Sequence, residues 1–251
     1  MVPAVVRALA VLDLLARQRA PMSMAGLATT LGLPKSSVHG LCSTLLSCGY
    51  LRRVDNGTLH IGPRVMGLAE AFVASTTVGG EFAAMWRELP TPPEETLILS
   101  VLNGTDVVYI GVLNSARPLG LAFTIGMHLP AHLAATGKAM LAFRDPAAVR
   151  ALYAAGPLPR LTERGVRTLD ELMVELAASR KRGYSVDDEA VREGVFSIAA
   201  PVFDISGAPV AGIAVCLNKA GLTAAAIKRQ REVVLRAARA LSQRLGAARA
   251  S

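Results

Sequence analysis

Cysteine is scarce in these 251 residues. Cys42, Cys48 and Cys216 are odd in number and form no CxxC pair, which excludes a disulfide framework and a zinc ribbon and leaves each to be read as a small buried hydrophobe. Aromatic residues make up only 4%, too few for a stacking platform along single-stranded nucleic acid. Charged residues stand at 18% against 52% hydrophobic, so disorder is excluded, and Gly (22) and Pro (14) are too near ordinary usage for a collagen-like or low-complexity chain. No apolar run approaches the ~18 residues that a membrane helix needs. Arg7 and Asp13 interrupt the apolar N-terminus, so it does not read as a signal peptide, and the chain reads as cytoplasmic.

Catalytic signatures are missing as well. No GxSxG nucleophile elbow occurs. Thr136-Gly137-Lys138 fails as a phosphate loop, because His132 stands where the first glycine should be and no Ser or Thr follows Lys138. Lys138 is then expected at the surface or in a local ion pair. His128 and His132 are spaced i, i+4 without a glutamate in a metalloprotease pattern, so no metal and no cofactor is expected. His132, Asp187 and Ser197 are residue types that build nucleophile–base sets, but residue type alone is a poor warrant, and the chain is read as a non-enzyme. Asp188 and Glu189 read as a solvated turn beside Arg180, Lys181 and Arg182 rather than, with Asp187, as a metal cluster.

What is present begins with basic charge. Net charge is +8. Half of it lies in residues 1–75, less than a third of the length, which favours an acidic partner at that end. There, Val2, Val5, Leu9, Leu12 and Ala16 recur at spacings of three and four, the stripe of an amphipathic helix that Pro21 stops. Ser23 caps a second helix through Leu31, Gly32 breaks it, and Pro34 opens a third over about Lys35–Ser47. Val38, Leu41, Leu45 and Leu46 are its inner face. Two short β-like runs, Tyr50–Val54 and Thr58–Ile61, flank Asp55-Asn56-Gly57, a strong hairpin signal.

Three helices and a two-stranded wing make a winged helix-turn-helix, whose third helix enters the major groove of double-stranded DNA. Lys35, Ser36, Ser37, His39 and Ser43 are the residues expected to face bases and phosphates, with Ser23 beside them and Arg52 and Arg53 on the wing. Residues 63–89 continue helical, in two pieces with a flexible joint where Thr76-Thr77 and Gly79-Gly80 weaken the middle, and Pro90–Pro93 ends the segment. Beyond it the period changes. Strands are expected at Leu97–Leu102, Val107–Leu113, Leu119–Phe123, Tyr184–Val186, Val195–Phe203 and Pro209–Leu217. Helices are expected at Thr136–Phe143, Pro146–Ala155, Leu169–Arg182 and from Thr223, a pattern that gives an α+β domain around an antiparallel sheet. The division is 1–62, winged helix-turn-helix; 63–89, helical linker; 90–251, second domain.

Several motifs in this order carry a resemblance. They are Arg7-Ala8-Leu9-Ala10-Val11-Leu12, Leu31-Gly32-Leu33-Pro34-Lys35-Ser36-Ser37-Val38-His39, Gly49-Tyr50-Leu51, Ile61-Gly62-Pro63-Arg64, His132 to Ala142, Gly183 to Glu189 and Gly194 to Phe203. Together they resemble the IclR-type transcriptional regulators over nearly the whole chain. The resemblance implies a GAF-like effector domain behind the winged helix, homodimerisation through the DNA-binding domains, often a dimer of dimers, and a small carboxylate effector from a catabolic pathway.

Carried over residue by residue, the resemblance implies a pocket at Leu121, Ala135, Thr136, Gly137, Asp187, Val195, Ser197, Ala214 and Cys216. Phe123 is added because it alternates with Leu121 along the expected strand. Gly40 stands where an arginine is common, Ser197 where a cysteine is common, and Ala214 and Cys216 replace two frequent serines. That apolar wall argues against a short keto acid and for a hydroxylated aromatic or comparably apolar carboxylate, its acid group at the opening of the helix near Thr136 and its hydroxyl on Asp187. The competing reading is a small-molecule binding or modifying protein whose helix-turn-helix serves assembly only.

Overall fold

A computed structural model describes residues 2–18, 20–54, 57–75, 77–87, 95–114 and 123–247. These fall into two compact units, 1–75 and 76–251.

In the first unit, α1 (Pro3–Gln18), α2 (Met24–Leu31) and α3 (Lys35–Ser47) precede an antiparallel hairpin of β1 (Leu51–Arg53) and β2 (Leu59–Ile61), and α4 (Arg64–Ser75) closes it. The tip residues Asp55 and Asn56 lie outside the described residues. Val11, Leu15, Leu27, Val38, Cys42, Leu51 and Leu59 form the core. This corrects the expected inner face of α1: Val2, Val5 and Leu9 are 63%, 55% and 55% exposed, and Val11, Leu14 and Leu15 are buried instead. The helix carries two apolar faces, and spacing alone does not tell which one packs within the unit. Cys48 also departs from expectation, being exposed where α3 ends.

The second unit is built on a six-stranded antiparallel sheet of order β5-β4-β3-β8-β7-β6. Its strands are β3 (Thr96–Asn103), β4 (Asp106–Leu113), β5 (His128–Pro130), β6 (Ser185–Asp188), β7 (Val195–Phe203) and β8 (Pro209–Asn218). Side chains alternate between the faces. Leu97, Leu99, Ile198, Ala200, Ile213 and Val215 meet α5 (Thr77–Arg87) and α9 (Ala224–Arg244). Ile98, Ser100, Ser197, Ala199, Ala214 and Cys216 have the opposite parity, and there α6 (Ala135–Leu141) and α8 (Leu169–Arg182) cover the sheet. A short helix α7 (Pro146–Leu152), capped by Asp145, precedes α8.

Two expectations are affected here. Gly79 and Gly80 lie within α5, where a joint was expected. The strand expected at Leu119–Phe123 falls on residues 115–122, outside the described residues, and Phe123 itself is not in a strand. The strand beside β4 is instead His128–Pro130, with Val107 opposite Leu129. Three residues ending in proline carry too little alternation to be read as a strand in advance.

Two glycines let α6 reach the sheet. A Cβ on Gly137 would lie 2.2 Å from the Ala131 carbonyl oxygen, and one on Gly212 would lie 2.8 Å from both Cβ and the carbonyl oxygen of Thr136. Contacts this short against backbone cannot be relieved by a rotamer change. Gly137→Ala is therefore expected to destabilise the second unit by at least about 1–3 kcal/mol. Thermal unfolding checks this, and an unchanged melting temperature would refute the packing argument.

Candidate functional site

Two features stand out, one in each unit. In the first, α2, a short turn and α3 present a polar face. The Ser23 hydroxyl accepts from the Gly26 backbone N–H at 3.0 Å and so caps α2. Gly32 takes the left-handed conformation (φ 63°) that ends α2, and its neighbours turn the chain directly into α3. Val38, Cys42 and Leu45 anchor α3 in the core. Lys35, Ser36, His39 and Ser43 are exposed, and Ser37 is half-buried. Gly40 lies on the same exposed face with open space around it. A side chain there would have reached outward with its neighbours.

On the wing, Arg52 lies opposite His60 and Arg53 opposite Leu59. Both arginines are exposed, but adjacent strand residues point to opposite faces. Arg53 is the one near α3: burial pushes the Cys42 thiol up from its ordinary value, and the Arg53 guanidinium works against that rise. The exposed polar face of α3 thus has Lys35 at its start and Arg53 at its flank.

The second unit holds a cavity of about 240 Å³ between the sheet, α6 and the loop after β6. At ~30 Å³ per water in the liquid it has room for about eight waters, which suits a small ligand and not a drug-sized one. Phe123, Ala135, Thr136, Asp187, Val195, Ser197, Ala214 and Cys216 all line it. Leu121 lies outside the described residues. Gly137 is not on the lining, since its Cα faces the Ala131 backbone instead.

Further residues complete the wall: Tyr109, Met127, Leu129, Ala134, Leu161, Val191 and Arg192. Sequence reasoning missed Tyr109 although its signal was present. It alternates with Val107 on a strand that had been recognised. Arg192 lies in an irregular loop, where no periodicity indicates direction.

The polar groups of the cavity are few and mostly engaged. Ser197 donates to the Cys216 sulfur at 3.4 Å, and these two residues are cross-strand neighbours. Burial pushes the Cys216 thiol up to about 12, so it is a neutral, unreactive thiol rather than a thiolate. Ser100 donates to Thr136 Oγ1 at 2.7 Å, fastening the first turn of α6 to β3. Tyr109 packs at a tilt against Phe123 (6.3 Å between ring centres), and burial raises its phenol pKa.

Among the described residues Asp187 is the one carboxyl on the wall, 3% exposed. Its Oδ1 accepts from the backbone N–H of Ala190 at 2.7 Å and of Val191 at 3.3 Å. Burial lifts its pKa from 3.8 to about 6, against the pull of Lys138 and of those two N–H groups. Lys138 itself is buried and pairs with Glu175 of α8. The surface placement considered for it is therefore wrong, and the pair joins elements distant in sequence. Asp188 and Glu189 pair with Lys219, not with the basic end of α8. Among the described residues no group of three or more metal-ligating side chains gathers, and no helix is long and apolar enough to cross a membrane.

Comparisons with known proteins agree with this architecture. Residues 4–55 match the IclR helix-turn-helix domain and residues 71–243 match the bacterial transcriptional regulator IclR C-terminal domain. The chain is 28% identical over 247 residues to the HTH-type transcriptional regulator XynR of Escherichia coli, covering 98% of each. It is 40% identical to the repressor BlcR of Agrobacterium tumefaciens, whose crystal structure aligns over 99% of both chains with a TM-score of 0.63. An IclR homologue from Microbacterium hydrocarbonoxydans, solved in complex with 4-hydroxybenzoate, shares the fold at 18% identity with a TM-score of 0.78 over 96% of this chain and 98% of that one. With a helix-turn-helix built for DNA and an antiparallel-sheet domain behind it, this chain belongs to the IclR family of bacterial transcriptional regulators.

Proposed function

We propose that this protein is a ligand-responsive regulator of catabolic genes that binds operator DNA as a dimer and is governed by a small carboxylate. The observation that carries this reading is the cavity beneath α6. It is small, mostly apolar, and has an acceptor (Asp187) and a cation (Arg192) on its wall. An effector with a hydroxyl for Asp187, a carboxylate for Arg192 or the first-turn amides of α6, and an apolar middle against Tyr109, Phe123, Val195, Ala214 and Cys216 satisfies all three. A hydroxybenzoate has that form, and the Microbacterium homologue bound to 4-hydroxybenzoate supports the class. A short keto acid would bury its oxygens against carbon.

Dimerisation is supported by the outward apolar stripe of α1, where Val2, Val5, Val6 and Leu9 are all exposed. A DNA-binding domain (1–62) joins a GAF-like effector domain (90–251) through residues 63–89, whose helix α5 packs on the sheet of the second unit, and the chain assembles as a homodimer or a dimer of dimers. Such a regulator works in the bacterial cytoplasm, where its operator is.

Thermal shift tests the ligand class. 4-Hydroxybenzoate at a hundredfold excess over its Kd is expected to stabilise the second unit by about 2.7 kcal/mol, with glyoxylate and pyruvate giving no comparable rise. Arg192→Ala should remove most of the gain if the carboxylate sits there. Stabilisation by the short acids alone, or a Cys216→Ser variant that binds the aromatic acid better, would overturn the assignment. A gel shift on DNA upstream of the gene, with and without the same acid, tests the regulatory reading.

A further inference from the structure

We propose that the Tyr109 hydroxyl recognises the carboxylate of the effector, a role that rests on the reading of the cavity beneath α6 as an effector site. Tyr109 lines that cavity and is 6% exposed. Its ring lies against Phe123, which lines the same cavity. Among the described residues its hydroxyl makes no hydrogen bond, in contrast to Tyr153, whose hydroxyl is directed to the Thr105 carbonyl.

A buried hydroxyl without a partner is costly unless something reaches it. Trp86 Nε1 and His132 Nδ1 are the described side-chain atoms that are both unpartnered and closed off from solvent. The Tyr109 oxygen is not one of them, so it opens on free space, and the space beside Tyr109 is the cavity. The ionisable groups that bear on the phenol are Cys216 and Asp187, both on the cavity wall, so the hydroxyl end of the ring is on the cavity side. Burial, more than either of them, raises the phenol pKa, and the group remains a neutral O–H that can donate.

What it donates to follows from the sheet. Asp187 is on β6, at one edge, and Tyr109 is on β4, with β7, β8 and β3 between them. Laid flat, four strand spacings would put the two about 19 Å apart. They line one cavity of about 240 Å³ instead, so the sheet curls around it and the two residues reach it from opposite sides. Tyr109 is the cross-strand partner of Ser100, whose hydroxyl bonds Thr136 of α6, whereas Asp187 is opposite Ser197. A ligand between them meets an acceptor at Asp187 and a donor at Tyr109. Its hydroxyl has one hydrogen to give, and that goes to Asp187. Its carboxylate only accepts, forms the stronger charge-assisted bond, and goes to Tyr109. Arg192 on the same wall does not compete, because a carboxylate offers about four lone-pair sites.

Titration calorimetry of the full chain and of Tyr109→Phe with 4-hydroxybenzoate, benzoate and 4-methylphenol tests this. Loss of a charge-assisted bond is expected to weaken both acids at least about tenfold in the variant. 4-Methylphenol, which keeps the hydroxyl and lacks the carboxylate, should bind both proteins alike. The ligand-free melting temperature should not fall, since the hydroxyl leaves no partner behind. Acids that bind the variant as before would overturn the proposal and leave the effector reading intact. So would a loss for 4-hydroxybenzoate without one for benzoate, which moves Tyr109 to the hydroxyl end, or an equal loss for 4-methylphenol. A fall in the ligand-free melting temperature would give the hydroxyl a structural partner and overturn it as well. A wild type that binds neither acid would end the effector reading and this proposal together.

Discussion

Asp187→Asn is expected to make the ligand-free protein more stable at pH 8 and, at the same time, a poorer receptor. The carboxyl is 3% exposed and its pKa is lifted from 3.8 to about 6, with burial the leading cause. A group whose folded pKa is raised holds its proton more tightly in the native state. Its contribution is complete below pH 3.8 and is lost as pH rises through about 6. The lift corresponds to about 3 kcal/mol of stability missing at pH 8. The amide cannot ionise, so Asp187→Asn should recover most of that, or about 6–12 °C in the melting temperature of a unit this size.

The comparison must be made between the two proteins at each pH. His132, with its lowered pKa, and Glu189 and Asp204, held below the usual carboxylate range by their hydrogen bonds, all favour the native state more as pH rises. They are common to both proteins and cancel in the difference. That difference should vanish near pH 4 and open between pH 4 and 6. Meanwhile the Ala190 and Val191 N–H groups continue to require an acceptor at Oδ1. The new NH₂ is then directed toward the cavity and cannot accept from the ligand hydroxyl, so the charge-assisted bond to the carboxylate is lost and affinity for the hydroxybenzoate should fall about ten- to hundredfold. A variant no more stable at pH 8 would mean that Asp187 is not held under desolvation strain. A variant that binds as before would mean that it does not meet the ligand.

The winged helix was legible because its signals are local. Ser23, Gly32, Pro34 and the Asn56-Gly57 pair each act within one turn of chain, and core positions such as Val38 and Leu45 keep the helical period. The sheet was legible for a related reason: β3, β4, β7 and β8 are long enough to show β character, and two of their turns carry glycine. What failed was directional. The stripe Val2–Val5–Leu9 is periodic and still faces outward, because a helix with two apolar faces does not indicate which one folding uses and which one awaits a partner. Gly79 and Gly80 read as a joint, yet α5 packs Val78 and Phe82 on the sheet, and that burial outweighs two unfavourable helix propensities.

The cavity was legible in part. Thr136, Asp187, Val195, Ser197, Ala214 and Cys216 were placed through family resemblance, and cross-strand pairing accounts for their meeting: Asp187 opposite Ser197, and Ser197 opposite Cys216. Tyr109 joins them from β4, on the same face of the sheet. Gly137 shares the motif but serves packing. Lys138 was not legible, since nothing local announces a buried lysine whose partner, Glu175, comes from another helix.

The DNA face carries the last expectation. The triple substitution Lys35→Ala, Arg52→Ala, Arg53→Ala should lower operator affinity at least about a hundredfold at low salt, because each charge-assisted phosphate contact is worth about 1.5–3 kcal/mol when removed. All three side chains are exposed, so folding should be unaffected. Salt dependence separates their roles. If all three reach phosphates, the log–log slope should flatten by about 2.7. Adjacent strand residues point oppositely, however, and Arg53 is the one whose charge is felt by Cys42 under α3. Arg53→Ala alone should therefore flatten the slope by about 0.9, and Arg52→Ala by less, unless the wing lies edge-on in the groove so that both of its faces meet backbone. His39→Ala should instead relax discrimination between operators with little change of slope, the mark of a base contact. A slope unchanged in the triple variant would remove this face from the interface altogether, and an equal loss on every sequence for His39→Ala would move that histidine from the bases to the backbone.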